Sequence, residues 1–207
     1  MTKQSTPEAP PGGFRAVLVP RPRELWPALL GPLLILFTYA AYALGWDWVQ
    51  SKGLHESVAL FLTPIALGLF AWTAFETRDP LQQVLAGLAA IFLMRELHIY
   101  GTHNATYVAL VASVIWGWNW RHRLAVPFLR PGTRSLVYSA LLTYLLSQLL
   151  DRRALRVLPN EPTIRLGAEE MMENLGHVLW ITTAIVTRRV LLRERGRATV
   201  PPRTKDA

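Results

Sequence analysis

The chain has 207 residues, of which 51% are hydrophobic and only 17% are charged. Soluble domains carry roughly 25% charged residues, so the composition favours a membrane protein. The sequence has no cysteine, which excludes disulfides, thiolate nucleophiles and cysteine metal ligands. The net charge of +8 comes from short basic segments beside apolar stretches. We therefore expect lipid bilayer contact and no nucleic acid partner.

The order of polar and apolar segments predicts one membrane domain between two tails. Residues 1–23 are rich in Pro and polar side chains, which predicts a flexible cytoplasmic tail. Residues 24–190 predict a transmembrane domain of about six helices, and residues 191–207 predict a basic cytoplasmic tail. Most of the apolar stretches reach the roughly 17 to 25 residues that a spanning helix needs. They cover residues 25–45, 57–75, 80–100, 105–120, 134–150 and 169–187.

The distribution of basic residues predicts the orientation of this all-α, polytopic helix bundle. Sixteen of the 22 Lys and Arg residues fall in the two tails and in the second and fourth loops. Five fall in the other loops, and Arg95 lies inside a span. Basic residues accumulate on the cytoplasmic side, so we expect both termini there. The many Arg and few Lys indicate a bacterial protein, and we expect the inner (cytoplasmic) membrane as its location.

Ionisable residues collect in the predicted outer half of the third and sixth spans. Ionisable groups inside a bilayer cost several kcal/mol unless they are paired, which makes them candidates for function. They form a candidate binding or structural cluster of Arg95, Glu96, His98, His103, Glu169, Glu170, Glu173 and His177.

Helical spacing suggests partners within this cluster. Arg95 and Glu173 have similar predicted depth, so we expect an ion pair between the two spans. Glu96 points about 100° away from Arg95 and aligns better with His103. One interpretation is that the Arg95 pair only fixes the register and orientation of the helices.

A second interpretation is a divalent transition metal, because imidazole and carboxylate groups bind Zn, Mn or Fe. His98, Glu173 and His177 are the candidate ligands, and such a site would suit a metal-dependent, hydrolase-like membrane enzyme. The Glu-x-x-His pair of four-helix di-iron proteins is absent, since Glu173 and His177 are four residues apart.

A third interpretation is a proton or ion transport component, in which carboxylates and histidines act as a relay. The inner halves of the third and sixth spans offer few polar groups, so a pocket that opens outward fits better than a channel. Nucleophilic catalysis has the weakest support, because Ser139, Thr143 and Ser147 have no recognisable His-Asp partner and are interpreted as packing hydroxyls.

Two short motifs carry a family resemblance. Arg95-Glu96-Leu97-His98 and Glu169-Glu170-Met171-Met172-Glu173 resemble the Arg-Glu-x-His and Glu-Glu-x-x-Glu motifs of an uncharacterised family of bacterial multipass membrane proteins. The resemblance implies a shared membrane fold and a shared site, without an assigned reaction. Ceramidase-like zinc hydrolases also use several histidines, but the Asp and Ser of that site are not identifiable here.

Taken alone, the sequence predicts an integral membrane protein with an outward-facing cluster of Arg, Glu and His residues. That cluster organises helices, binds a ligand or binds other membrane subunits. A metal-dependent enzyme and a transport component are the alternatives.

Overall fold

The computed structural model describes residues 24, 26–97, 102–130, 132–153, 156 and 161–198, without the side chains of 102–107, 161–163, 197 and 198. Within these residues the secondary structure is helical and includes no β-strand, and short 3-10 turns cover Trp26–Leu29 and Asp47–Gln50. The α-helices are α1 (Leu30–Ala43), α2 (Lys52–Thr77), α3 (Pro80–Glu96), α4 (Thr102–Asn119), α5 (Arg121–Phe128), α6 (Thr133–Asp151) and α7 (Glu161–Ala198).

Every apolar stretch predicted from the sequence overlaps a helix, namely α1, α2, α3, α4, α6 and α7. Helix α5 lies in a segment that the sequence pattern treats as a loop. Helix α7 has 38 residues and continues to Ala198, beyond the predicted domain end at residue 190. Leu, Arg and Glu fill this extension, and their high helix propensity continues the helix after the apolar pattern ends.

Among the residues that the structure describes, three helical segments are long and apolar enough to cross a membrane: Trp26–Ala43, Lys52–Thr77 and Ile164–Gly196. Much of their surface remains outside the core, with Phe61 73% exposed and Phe75 79% exposed. Apolar surface of this extent suits contact with lipid. The structure therefore supports a helical membrane protein.

Helices α3 and α6 bury several polar side chains in the interior of the bundle. Gln82 of α3 and Ser139, Thr143 and Ser147 of α6 are all buried. The Thr143 hydroxyl donates to the Ser139 carbonyl at 2.7 Å, so its polar group is satisfied within its own helix. Both helices therefore contribute hydrogen-bonding groups to the interior.

A tight turn joins α2 to α3 and makes them an antiparallel hairpin. Arg78 ends α2 in the left-handed region, with φ of 58°. Asp79 then caps α3, since its Oδ1 accepts from the backbone N–H groups of Leu81 at 3.0 Å and Gln82 at 3.2 Å. Pro80 occupies the first position of the helix, where no N–H partner is lost.

Aromatic side chains fill the core between α2, α3, α6 and α7. The Phe92 ring stacks on Tyr144 with centroids 4.3 Å apart, and Trp180 meets Phe70 at 5.6 Å. Gly176 allows α7 to approach α6 closely, because a Cβ atom there would lie 2.9 Å from Tyr144 Cζ. Packing of α6 on α7 therefore depends on a residue without a side chain.

Charged residues lie at both ends of the bundle. Arg130 joins Asp79 at 2.6 Å and Glu194 at 3.2 Å, and we name this the Arg130 end. The opposite end contains the pair Arg95–Glu173, and we name it the Arg95 end. Arg95 follows Asp79 by sixteen residues of helix, which corresponds to about 24 Å. This separation approaches the roughly 30 Å thickness of a bilayer's hydrocarbon core.

Candidate functional site

Six residues of the predicted cluster have described side chains, and they come from the end of α3 and the first half of α7. His98 lies outside the described residues, and the side chain of His103 is not described. The six are Arg95, Glu96, Glu169, Glu170, Glu173 and His177.

A cleft of about 120 Å³ lies at the Arg95 end, between α2, α3 and α7. Helix α2 contributes its first turns, α3 its last turn and α7 its N-terminal half, because α3 runs antiparallel to both neighbours. Five glutamates and two basic residues line the cleft, so its formal charge is negative if all are ionised. The lining residues are Lys52, Glu56, Arg95, Glu96, Glu169, Glu170 and Glu173.

Arg95 pairs with Glu173 across the bundle, through Nη2 and Oε1. The same carboxylate oxygen accepts from Ser147 Oγ at 3.0 Å and from Gln148 Nε2 at 3.5 Å. The Glu173 side chain is 9% exposed, whereas that of Arg95 is 34% exposed. Three donors from two helices thus stabilise one largely buried negative charge. The contact predicted from equal helix depth is confirmed.

His177 lies one helical turn below Glu173 and is fully buried. Its Nδ1 lies 2.6 Å from the Tyr144 hydroxyl, which is a hydrogen bond between α6 and α7. Its Nε2 lies 3.6 Å from Glu96 Oε1 and has no hydrogen-bond partner among the described side chains. The ring therefore sits beneath the cleft wall that Glu96 forms, and it is not itself a lining residue.

Sequence reasoning missed several members of this site. It aligned Glu96 with His103, whose side chain is not described, and it did not predict that the Glu96 carboxylate also lies near His177. It interpreted Ser147 as a packing hydroxyl and did not consider Tyr144 or Gln148. The spacing of these residues was the available signal. Residues 144, 147 and 148 share one face in the second half of their helix, which lies at the same end of the bundle as Arg95.

The rim of the cleft carries looser ion pairs. Lys52 Nζ lies 3.4 Å from Glu56 Oε1, and Arg165 Nη1 lies 3.7 Å from Glu169 Oε2. Among the described residues, Glu170 forms no salt bridge or hydrogen bond with another side chain. Within the described part of the chain, Glu170 is therefore a wall carboxylate without a directly bonded side-chain partner.

The described side chains include no group of three or more His, Asp or Glu residues arranged to hold a metal ion. Glu173 is engaged by Arg95, and the Nδ1 atom of His177 is engaged by Tyr144. The hypothesis of a metal held by His98, Glu173 and His177 stays a prediction, since His98 lies outside the described part of the chain.

Comparison with known proteins adds no relative from which a function could be transferred. No protein-family model, no curated protein and no solved structure matches this chain. The cleft and the bundle are therefore the features that indicate a function.

Proposed function

We propose that this protein is a multipass bacterial inner-membrane protein that binds a small ligand in the cleft at the Arg95 end. In this proposal the six predicted spans cross the membrane, both termini are cytoplasmic and the cleft faces the extracytoplasmic side. The excess of basic residues near the Arg130 end supports this orientation. The helical distance of about 24 Å between the charged ends suits a bundle that spans the bilayer.

The single observation that carries the ligand-binding proposal is the charged wall of the cleft. Fixing the helix register requires only the Arg95–Glu173 pair. The further carboxylates of Glu96 and Glu170 lie in the same small cleft, where like charges repel one another. The register of the helices does not require Glu170, whereas a ligand that neutralises part of the charge of the cleft would use it.

The alternatives receive less support. An enzyme that uses a metal would need ligands beyond those the described side chains assemble. A transport component would need a polar path between the two ends, but Phe70, Leu85 and Ala89 occupy the core there. Binding of a partner subunit would need an extended contact surface, whereas the cleft has room only for a small molecule. The family resemblance carried by the two Glu- and Arg-containing motifs remains part of the proposal.

Two measurements test the proposal. Reporter fusions after Arg197 should be active in the cytoplasm, and fusions near Asn160 should be active outside, whereas reversed activities would contradict the orientation. A panel of small cations, anions and neutral polar molecules should include one that raises the melting temperature of the purified protein. This shift should disappear in Glu170→Gln and persist in Glu76→Gln, a matched change near the Arg130 end. The absence of any such ligand would contradict the binding function.

A further inference from the structure

We propose that the Arg130 end binds the headgroups of anionic phospholipids through Arg78, Arg121 and Arg123. Each of these three side chains is at least partly exposed and lies over an aromatic ring, and we name them the ring-backed arginines. The surface lies at the end of the bundle opposite the cleft. It therefore does not depend on the proposed ligand of the cleft.

The ring-backed arginines belong to one end of the bundle. Arg78 follows the last residue of α2 and directly precedes Asp79, which pairs with Arg130. Arg121 and Arg123 open α5, and this helix ends two residues before Arg130. A helix of eight residues is about 12 Å long, so both ends of α5 lie close to Arg130. One membrane leaflet can therefore meet all three guanidinium groups.

The carboxylates of this end are already paired with other arginines. The described pairs are Asp79–Arg130, Glu194–Arg130, Glu76–Arg188 and Glu24–Arg134. Among the described side chains, the ring-backed arginines form no salt bridge with any carboxylate. Three positive charges thus remain for a partner from outside the described chain, and charge complementarity requires that partner to be negative.

The rings beneath the guanidinium groups distinguish a lipid from a soluble anion. The guanidinium carbons lie 5.7, 5.3 and 5.4 Å from the ring centroids of Phe75, Trp118 and Trp120, respectively. Phe75 is 79% exposed and Trp118 is 58% exposed, so apolar surface directly adjoins the positive charge. A phospholipid presents its phosphate beside its acyl chains, whereas inorganic phosphate has no apolar part. Adjoining charge and aromatic surface therefore match a phospholipid at the membrane interface.

The charge balance selects anionic headgroups over zwitterionic ones. A guanidinium group binds phosphate through paired hydrogen bonds. The headgroup of phosphatidylcholine also carries a cation, which the same arginines repel, whereas phosphatidylglycerol carries one negative charge and no cation. Arg121 Nη1 donates to the Trp118 carbonyl at 3.0 Å, which holds that guanidinium in place at the surface. An anionic phospholipid is therefore the partner that this surface fits.

The test is native mass spectrometry of the full chain, released from neutral detergent micelles that contain equal amounts of phosphatidylglycerol and phosphatidylcholine with the same acyl chains. We expect preferential retention of phosphatidylglycerol, and we expect the triple variant Arg78→Gln, Arg121→Gln, Arg123→Gln to lose this preference. Each single change should lower the affinity about fivefold, the factor expected for one basic residue at an anionic surface. Arg123→Lys keeps the charge and should keep most of the preference that Arg123→Gln loses, and this pair decides the question if the triple variant fails to fold.

A matched control removes the same charge from the Arg95 end. Arg152, Arg153 and Arg156 are exposed and follow the end of α6, and they form no aromatic contact or salt bridge with the described side chains. Changing all three to Gln should leave the preference for phosphatidylglycerol unchanged. An equal loss in both triple variants would assign the preference to net charge and overturn the inference.

Three further results would also overturn it. Equal retention of the two lipids by the unmodified protein would show that the headgroup charge is not recognised. Displacement of phosphatidylglycerol by inorganic phosphate at the same concentration would show that the surface takes a soluble anion. Binding of an acidic protein through the ring-backed arginines, without any preference for phosphatidylglycerol, would assign the surface to a protein partner.

Discussion

Replacing Arg95 with methionine would remove the guanidinium that pairs with Glu173 while keeping an unbranched side chain in place of the arginine's aliphatic stem. The Glu173 side chain is 9% exposed, and breaking a buried ion pair costs about 3 to 5 kcal/mol. Two features reduce this cost: the Arg95 side chain is 34% exposed, and Ser147 and Gln148 still donate to the carboxylate. We therefore expect Arg95→Met to lower the free energy of unfolding by about 2 kcal/mol.

A double-mutant cycle with Glu173→Gln isolates the pair. Once the carboxylate is neutral, loss of Arg95 leaves no buried charge, so the double variant should lose about 1 to 2 kcal/mol less than the sum of the single losses. The assay is reversible unfolding in mixed detergent micelles. Lys52→Met is the control, because its pair with Glu56 is exposed and should contribute within about 0.5 kcal/mol. A stable Arg95→Met protein, or additive losses, would refute the buried pair.

Two further predictions concern the contact between α6 and α7. Gly176→Ala should lower the free energy of unfolding by about 1 to 3 kcal/mol, because the new Cβ would lie 2.9 Å from the Tyr144 ring. Gly68→Ala is the control, since a Cβ there meets no atom within 4 Å and should not lower the stability. Tyr144→Phe should cost about 1 to 2 kcal/mol by removing the 2.6 Å hydrogen bond to His177 without changing ring packing. Tyr42→Phe, at an exposed position, is the control for that change. Thermal melts measure both, and equal melting temperatures for variant and control would contradict either prediction.

The sequence predicted the features that follow from local hydrophobic periodicity and from the depth of a residue along its helix. Six apolar stretches each overlap a helix, and the equal predicted depth of Arg95 and Glu173 was sufficient to predict their contact. Both inferences use only the rise of a helix and the cost of burying charge. They require no knowledge of which helices are neighbours.

The remaining features depend on helix neighbours and rotation, which one sequence does not specify. The direction of Glu96 was predicted from its own helix, but α7 determines that His177 is its neighbour. Tyr144 and Ser147 join the site only because Gly176 lets α6 pack closely on α7. Helix α5 has only eight residues and begins with Arg121, His122 and Arg123, so its hydropathy is that of a loop. Tertiary packing overrides such local patterns.

The central claim is that the bundle spans the membrane with its charged cleft on the extracytoplasmic side, and cysteine accessibility tests it most directly. The chain has no native cysteine, so Glu170→Cys and Glu194→Cys each introduce a single reactive thiol, one at each end of the bundle. Intact bacterial cells are treated with a membrane-impermeant maleimide and compared with permeabilised cells. The account predicts that Glu170→Cys is labelled in intact cells and Glu194→Cys only after permeabilisation. Labelling of both from the same side, or of Glu194→Cys alone in intact cells, would contradict it.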